Sequence, residues 1–330
     1  MKVSSMKASR FYLIMVFLQP FVIVFSQDSS LTHIDHFGIN PGNLKMFIYQ
    51  DEQKKDSSLK PLVIVLHGCG QSVDEIAQLT GWNKLASINN FIVLYPHQKV
   101  LNNVSTCFNW FRNSDINKGQ GECESIYQMI LYMRKHYPVD SSRIFITGLS
   151  AGAAMAVVMM ATHPEVFNSG AIFAGGAYKL ATNAFASASV MAGTNKPSRE
   201  ELVQNVVDQN PGYKGNYPTM IIYQGLNDLL VNHKNSGLLI QQWTGIHHCD
   251  AVADKTENGF MNIADIKRME YTDSTGKVVV TFYEVNNLGH RVLVKPGTAK
   301  DEGGQTGMYG MNKNFHSTFQ IAKEFGIIKE

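Results

Sequence analysis

The sequence is poor in cysteine, and none of its cysteines is spaced for a metal ion. No Cys-x-x-Cys pair, His-Glu-x-x-His pattern or carboxylate cluster occurs in the chain. The sequence therefore predicts neither a metal nor another cofactor. Four cysteines allow three complete pairings, and their spacing does not choose among them. They are Cys69, Cys107, Cys123 and Cys249.

The sequence also lacks an excess of charge of either sign. Its 29 Lys and Arg residues nearly balance 27 Asp and Glu residues, and no long run of like charges occurs. Such a balance gives no basis for binding nucleic acid or an anionic membrane surface, so we expect neither partner. Hydrophobic residues make up 44% of the chain, which is enough for a large core.

Long hydrophobic runs are missing except near the N-terminus. There, three basic residues precede an apolar run from Phe11 to Phe25. This pattern predicts a cleaved signal peptide over residues 1–26, with the cut near Ser26. An uncleaved membrane anchor is the alternative, although the run is shorter than the about 20 apolar residues that a spanning helix needs. We therefore expect a secreted or periplasmic protein that is not stably inserted in a membrane after cleavage.

Residues 27–330 alternate short apolar runs with amphipathic stretches. Fully apolar strands that alternate with helices are typical of a mostly parallel sheet covered by helices on both faces. The sequence thus predicts a single α/β domain. The predicted strands are 44–49, 62–66, 91–95, the apolar run 144–146, 169–174, 219–223 and 278–285, and the predicted helices are 74–88, 125–136, 151–163, 199–207, 234–243 and 314–325.

Two segments have no clear periodicity. Residues 175–217 separate two predicted strands, and we expect them to include the helix 199–207 and to form a cap over the site. Residues 295–313 are rich in glycine and polar residues and predict a surface loop. Long loops in compact domains are often functional or mobile.

The most informative motif is Gly-x-Ser-x-Gly at residues 148–152. An apolar run precedes it and small residues follow it, as in the nucleophile elbow that joins a strand to a helix in the α/β-hydrolase fold. The tight turn projects the hydroxyl of Ser150 above the sheet, and the two glycines let neighbouring backbone pass close by. The alternative is a serine in an ordinary strand-to-helix turn.

The partners of Ser150 are expected downstream, first an acid and then a histidine, each after a strand. Among the candidate acids, only Asp228 directly follows a buried strand, and the other candidates are Asp208, Asp250, Asp254 and Asp265. Among the candidate histidines, His290 follows the last strand through a short turn, and the others are His233, His247, His248 and His316. The alternatives are a capping aspartate and an ordinary loop histidine.

In this arrangement Ser150 attacks an acyl carbon, His290 carries the proton and Asp228 orients the imidazole. The tetrahedral oxyanion needs two preorganised N–H donors. The sequence predicts the backbone N–H of Ala151 as one donor and that of Cys69, in the loop after strand 62–66, as the other.

Five motifs occur in one order along the chain. Together they resemble the extracellular poly(3-hydroxybutyrate) depolymerase family, which is grouped with feruloyl and acetylxylan esterases in one branch of the α/β-hydrolases. The resemblance covers about residues 44 to 325. The motifs are Leu66–Gln71, Cys107–Phe111, Gly148–Gly152, Gln224–Asp228 and Gly289–His290.

The resemblance implies a serine carboxylic ester hydrolase that acts on hydroxyalkanoate polyesters or oligomers without a cofactor. A feruloyl or acetylxylan esterase shares the triad and is the main alternative. A peptidase or acyltransferase on the same fold and a non-enzymatic binding module are further alternatives. The resemblance also implies that Cys69 is bridged to Cys107, which leaves Cys123 to pair with Cys249.

Aromatic residues near the site are candidates for binding an apolar acyl chain. The resemblance implies that Trp110 lies at the site, and we add Phe111 and Tyr178 as candidates because pockets use a few such groups. Family members often carry an aromatic residue soon after the catalytic histidine, whereas this chain has Arg291 there. We expect Arg291 to favour an acidic product end.

Overall fold

The computed structural model describes residues 31–54 and 56–328. The predicted signal peptide, residues 1–26, lies outside the described residues. Within them, no helix has the length and apolar character needed to cross a membrane.

A twisted sheet of ten strands forms the centre of the described part of the chain, with the spatial order β1-β2-β4-β3-β5-β6-β7-β10-β9-β8. Neighbours from β4 to β10 are parallel, whereas the pairs at both edges are antiparallel. A parallel pair, β11 and β12, lies apart. The strands are β1 (Thr32–Ile34), β2 (Lys45–Tyr49), β3 (Lys60–Leu66), β4 (Ile92–His97), β5 (Val139–Leu149), β6 (Ser169–Phe173), β7 (Thr219–Gly225), β8 (Lys255–Asn258), β9 (Ile266–Thr272), β10 (Val278–Val285), β11 (Val292–Val294) and β12 (Gly310–Asn312).

Helices cover both faces of the sheet, and two hydrophobic clusters result. In β3, Leu62 and Ile64 belong to one cluster and Val63 belongs to the other, as the alternation of side chains along a strand requires. Thus the predicted α/β-hydrolase architecture is confirmed. The helices are α1 (Val73–Thr80), α2 (Trp82–Asn89), α3 (Gly121–His136), α4 (Ala151–Thr162), α5 (Ala184–Met191), α6 (Arg199–Val207), α7 (Lys234–Ile246) and α8 (Ser317–Glu324).

Several boundaries differ from the sequence prediction. The helix predicted over 74–88 is two helices, because Gly81 between them has a φ of 74° and a Cβ there would lie 2.7 Å from the backbone nitrogen of Gly304. Strand β4 continues through Pro96, which pairs with Met46 of β2. This is tolerated because β3 pairs with β4 only as far as Leu94, so Pro96 has a strand neighbour on one side.

The C-terminal end of the fold also departs from the prediction. The closing helix begins at Ser317 rather than at residue 314, because His316 is its N-cap and has extended backbone. The imidazole of His316 is buried, and its Nε2–H donates to the carbonyl of Thr80 at 2.9 Å. Burial lowers the pKa of His316 to about 4. His316 therefore links α8 to the end of α1 as a neutral side chain.

This burial predicts a loss of stability on acidification. The pKa of His316 is lower in the folded state than the ordinary value of 6.5, so the unfolded chain binds more protons and the free energy of unfolding falls from about pH 6.5 to about pH 4. Between these pH values, the free energy of unfolding should decrease less for H316Q than for wild type, by up to about 3 kcal/mol, as measured by urea unfolding. H136Q is the control, because His136 is exposed, and it should follow the pH profile of wild type. Parallel pH profiles for wild type and H316Q would contradict this.

Candidate active site

Ser150 lies in the sharp turn between β5 and α4, where φ is 58° and ψ is −119°. A non-glycine residue rarely adopts this conformation, and such strain is often found at functional sites. The turn is held because the N–H of Ser150 donates to the carbonyl of Phe173 at 2.9 Å, and the carbonyl of Ser150 accepts from Ala154 at 3.0 Å. Strand β5 and helix α4 are thereby fixed on either side of the serine.

The glycines of the elbow allow backbone segments to touch. A Cβ at Gly152 would lie 2.3 Å from the carbonyl oxygen of Leu66, and one at Gly148 would lie 2.4 Å from the carbonyl carbon of Gly152. These neighbours are backbone atoms, so no side-chain rotation can relieve the overlap. The predicted reason for both glycines is thus confirmed by the geometry.

Adding a methyl group at Gly152 should therefore destabilise the fold. We expect G152A to lower the free energy of unfolding by about 3 kcal/mol or more in urea titration, because the added methyl group would push α4 away from the backbone at the end of β3. G237A is the matched control, since a Cβ at Gly237 in α7 meets nothing within 4 Å. That variant should gain up to about 1 kcal/mol from helix propensity. Equal unfolding midpoints for the two variants would contradict the prediction.

Asp228 and His290 come together because two turns at the carboxyl edge of the sheet touch. Asp228 follows β7 and His290 follows β10, and the N–H of Asn227 donates to the carbonyl of Leu288 at 3.0 Å. A Cβ at Gly225 would lie 2.2 Å from that same oxygen. The result is a 2.7 Å hydrogen bond between Nδ1 of His290 and Oδ2 of Asp228.

The environment of Asp228 favours its charged form. Burial of this side chain acts to raise its pKa, but the hydrogen bond from His290, the charge of that imidazole when it is protonated and two backbone hydrogen bonds together outweigh burial. The N–H groups of Leu230 and Val231 also donate to Oδ1, at 2.9 and 2.8 Å. The net effect holds the pKa of Asp228 below its ordinary value. A carboxylate can only accept hydrogen bonds, so Nδ1 of His290 carries its proton and Nε2 is left to accept one.

Ser150 and His290 line one cavity of about 180 Å³ at this edge of the sheet. Asp228 lies behind the histidine, with its side chain fully buried. None of the residues that line the cavity is Asp, Glu, Lys or Arg, and its wall is mostly hydrocarbon. The lining residues are Gly68, Cys69, Gln71, Trp110, Leu149, Ser150, Ala151, Ala154, Ala174, Gly175, Gly176, Val190, Met191, Leu230, Val231, Asn235, His290 and Tyr309.

The two predicted oxyanion donors, Cys69 and Ala151, both lie in the cavity wall. Ala151 is the first residue of α4, where backbone N–H groups have no partner within the helix. On either side of Cys69 the N–H groups are already used, that of Gly68 by the side chain of Gln71 and that of Gly70 by the carbonyl of Ser105. Cys69 thus lies in the cavity wall, and its role as a donor stays a prediction.

His67 holds this loop through hydrogen bonds, a role that was not predicted from the sequence. Its buried Nδ1–H donates to the carbonyl of Gly68 at 2.8 Å, and its Nε2 accepts from the N–H of Gln98 at 3.2 Å. Burial lowers the pKa of His67 to about 4, so the ring is neutral and can accept at Nε2. The signal in the sequence was a polar residue at the end of a fully apolar strand.

The predicted disulfide between Cys69 and Cys107 is confirmed. It joins the loop that carries a candidate oxyanion donor to the segment that carries Trp110. The predicted pairing of Cys123 with Cys249 is wrong, since both are free thiols. Cys123 is buried in α3, where its thiol contacts the hydroxyl of Thr162. Cys249 lies just beyond α7, and its thiol donates to the carbonyl of Thr244.

Loss of the Cys69–Cys107 bridge should cost stability. We expect C107S to lower the free energy of unfolding by about 2–4 kcal/mol, because the bridge restricts the unfolded chain. Reductant should lower the melting temperature of wild type but not that of C107S. C249S is the control and should respond to reductant as wild type does. A wild-type melting temperature that reductant leaves unchanged would contradict the prediction.

The three aromatic candidates have different positions. Trp110 lines the cavity, whereas Phe111 does not and packs edge-on against Trp110 at 5.5 Å. The prediction for Tyr178 is wrong, because its side chain is buried in the core and its hydroxyl donates to the carbonyl of Ile116 at 2.8 Å. Sequence alone did not show that this aromatic residue packs inward.

Two further segments contribute side chains to the cavity, one of which was not expected at the site. Tyr309, from the segment expected to be a surface loop, brings a ring to within 6.4 Å of the imidazole of His290. Val190 and Met191 of α5 form one wall, so the segment 175–217 does contribute to the site. Arg291 does not line the cavity, and its Nε donates to the carbonyl of Met308 at 3.1 Å.

Within the described residues, no group of three His, Cys, Asp or Glu side chains is placed to hold a metal ion. The arrangement at the cavity instead consists of a strained serine, a carboxylate-bound imidazole and backbone N–H groups. Such a set can perform acyl transfer through a covalent intermediate.

Comparison with known proteins gives one consistent picture. Residues 54–259 match the family model described as Esterase PHB depolymerase. Poly(3-hydroxyalkanoate) depolymerase C of Paucimonas lemoignei is 35% identical over 319 residues, which are 95% of this chain and 75% of that protein. Feruloyl esterase B of Talaromyces funiculosus is 28% identical over 289 residues, which are 85% of this chain and 77% of that protein.

A solved structure, that of an acetyl xylan esterase from Aspergillus awamori, has the same fold. It superimposes with a TM-score of 0.76 at 23% identity and covers 91% of this chain and 100% of its own. At this level of identity the likeness is one of architecture.

Proposed function

The chain belongs to the esterase PHB depolymerase family and is a carboxylic ester hydrolase, and we propose that it is a secreted serine esterase of hydroxyalkanoate polyesters or their oligomers. The extent of the likeness to the depolymerase, 95% of this chain, carries the choice of substrate. The mostly hydrocarbon wall of the cavity supports this substrate class, because moving an aliphatic acyl chain from water into such a cavity lowers the free energy.

We propose that the reaction proceeds through an acyl-enzyme. Oγ of Ser150 attacks the ester carbonyl carbon while Nε2 of His290 takes the hydroxyl proton. His290 then gives this proton to the leaving alcohol, and Asp228 stabilises the imidazolium through the Nδ1–H contact. A water molecule, activated by the same imidazole, attacks the acyl-serine and releases the acid and free Ser150.

The oxyanion that forms in each half of the reaction needs donors close to Ser150. In this proposal it accepts hydrogen bonds from the N–H groups of Ala151 and Cys69. The bridge to Cys107 and the hydrogen bonds of His67 and Gln71 hold the Cys69 loop in place before substrate arrives. Preorganised donors lower the barrier because they do not have to reorient during the reaction.

A feruloyl or acetylxylan esterase is the second candidate. The relative named feruloyl esterase B aligns over 85% of this chain. Both candidate functions would use the same triad chemistry. The readings differ in the acyl group, which is aromatic for a ferulate, two carbons long for an acetate and aliphatic with a hydroxyl for a hydroxyalkanoate. A substrate comparison therefore separates them.

The test is a set of kcat/KM values for purified protein on a 3-hydroxybutyrate trimer, methyl ferulate and an acetylated xylose, each with wild type and S150A. The proposal predicts that the trimer is preferred at least tenfold and that S150A is inactive on it. A preference for ferulate or acetate would assign the protein to the polysaccharide esterases. Turnover that survives in S150A would contradict a serine mechanism.

A further inference from the structure

One polar side chain in the wall of the catalytic cavity has an unused hydrogen-bond acceptor. Asn235 is the second residue of α7, is fully buried and lines the cavity. Its Oδ1 is buried, and no group among the described residues donates a hydrogen bond to it. Buried polar atoms in folded proteins are nearly always paired, because an unpaired one costs free energy. This oxygen therefore points to a ligand that supplies the missing donor.

The orientation of the Asn235 amide is fixed by its nitrogen. Nδ2 donates to the carbonyl of Val190 at 2.8 Å and to the carbonyl of Asn232 at 3.0 Å. If the amide were reversed, its oxygen would lie against two carbonyl oxygens, and none of these three atoms can donate. Oδ1 is thus held in one position, where it can only accept a hydrogen bond.

Oδ1 of Asn235 borders open space beside Gly176, which also lines the cavity. A Cβ added at Gly176 would lie 3.8 Å from Oδ1 and 3.6 Å from Cγ1 of Val190, and apart from the chain neighbours of Gly176 it would meet nothing else within 4 Å. Both distances are ordinary van der Waals contacts, so a ligand atom fits in this space. Such an atom would meet one acceptor next to the hydrocarbon side chain of Val190.

We propose that Asn235 is a specificity-determining residue whose Oδ1 accepts a hydrogen bond from a hydroxyl group on the aliphatic acyl part of the substrate. This inference rests on the proposed function and names the residue that distinguishes a hydroxyacyl group from a plain acyl group. A hydroxyl that enters a mostly hydrocarbon cavity loses its bonds to water, and Oδ1 replaces one of them. An acyl chain without a hydroxyl would exclude solvent from Oδ1 and leave it unpaired.

The charge of the cavity favours a hydroxyl over a cationic donor. No Asp or Glu lines the cavity, so a buried ammonium group would have no carboxylate to compensate its charge there. A neutral hydroxyl needs only the single acceptor that Asn235 provides. The cavity should therefore select for an uncharged donor.

The test compares esters that differ only at the third carbon of the acyl chain. Ethyl 3-hydroxybutyrate carries the hydroxyl, ethyl butyrate lacks the oxygen, and ethyl 3-methoxybutyrate keeps the oxygen but cannot donate. We expect kcat/KM of wild type to be about tenfold or more higher for the hydroxy ester than for either of the other two. The reason is that a site that pairs with a substrate hydroxyl discriminates against analogues that lack the donor.

Two variants remove the contact in different ways. N235L keeps a similar volume without an acceptor, whereas G176A leaves Asn235 in place and puts a methyl group into the space beside Oδ1. Alanine suits the backbone there, since Gly176 is not among the glycines with positive φ. In both variants the preference for the hydroxy ester should fall to about twofold or less. This preference is a ratio within one variant, so partial unfolding lowers both rates alike and leaves the ratio unchanged.

V190A is the matched control. It shortens an apolar side chain on the same space but keeps the backbone carbonyl that binds Nδ2 of Asn235. We expect V190A to change the rates on all three esters to a similar degree and to retain the wild-type preference for the hydroxy ester.

Several results would overturn this proposal. A wild-type preference of about twofold or less would show that the hydroxyl is not recognised, and a preference that persists in both N235L and G176A would place its partner elsewhere. Equal rates on the hydroxy and methoxy esters would exclude hydrogen-bond donation. A preference for methyl ferulate over methyl 3,4-dimethoxycinnamate that N235L abolishes, without a preference among the butyrates, would assign Oδ1 to a phenol. Failure of the proposed function is distinct, because wild type would then not hydrolyse the 3-hydroxybutyrate trimer at all.

Discussion

Replacement of Ser150 by alanine is expected to lower kcat on a soluble ester by about 10⁴-fold or more while the fold stays intact. In other serine hydrolases the loss of the nucleophile removes the covalent route and leaves only binding and oxyanion stabilisation. Alanine keeps the strained backbone at φ 58° with no larger side chain, so the turn between β5 and α4 should persist. The measurement is steady-state hydrolysis beside a thermal melt.

A matched serine gives the control for this prediction. Ser274 is exposed in the turn between β9 and β10, remote from the cavity, and S274A should retain wild-type kcat. If S150A kept more than about a tenth of wild-type activity, Ser150 would not be the nucleophile, since removal of a nucleophile has a far larger effect. A melt shifted to much lower temperature would instead point to a structural role for the side chain.

The second large effect is expected for D228N, which should lower kcat by about 10⁴-fold with little change in the melt. The carboxylate accepts the Nδ1–H of His290 at 2.7 Å and two backbone N–H groups. An asparagine has nearly the same shape but must present either its amide nitrogen or a weaker acceptor. The imidazole then favours the tautomer with its proton on Nε2, which cannot take the proton of Ser150.

Asp208 provides the control for this change. It is an exposed residue at the end of α6, and it was one of the acids that the sequence order allowed. D208N should have wild-type kcat. If D228N and D208N were equally active, the carboxylate that orients His290 would have to be sought elsewhere, and the mechanism proposed here would be wrong.

The parts of the site that the sequence predicted are those encoded locally. The turn around Ser150 requires glycines at fixed spacing, and that requirement is visible without tertiary information. Asp228 and His290 were selected because each follows an apolar strand, and strands of a parallel sheet end at one edge. The structure brings these two side chains into contact, and their catalytic roles stay a prediction.

The errors share a physical cause, which is that they depend on packing between distant segments. Tyr178 is an aromatic residue of the kind that lines pockets. However, its backbone N–H donates to the side chain of Gln242, and its ring lies in the core. The pairing of Cys123 with Cys249 followed only from the other bridge, whereas the structure leaves both as free thiols. Strands β8 and β9 were missed because their charged residues hide the alternation of an edge strand.

Helix α5 illustrates the same limit in another way. Its small, uncharged residues have no clear period, so the sequence predicted only an irregular segment there. The hydrogen bonds from Asn232 and Asn235 fix it at the cavity, and both donors lie about 40 residues away along the chain. Contacts between segments this far apart in the chain cannot be seen in the sequence, so the shape of the cavity was harder to predict than the triad.

The central claim is that Ser150 carries the acyl group of a hydroxyalkanoate ester during turnover. The most direct measurement is acid quenching of the protein during steady-state hydrolysis of a 3-hydroxybutyrate trimer, followed by mass spectrometry of the peptide that contains residue 150. The account predicts a hydroxybutyryl adduct on Ser150 in wild type and none in S150A. An adduct on another residue, or one that forms from methyl ferulate and not from the trimer, would contradict it.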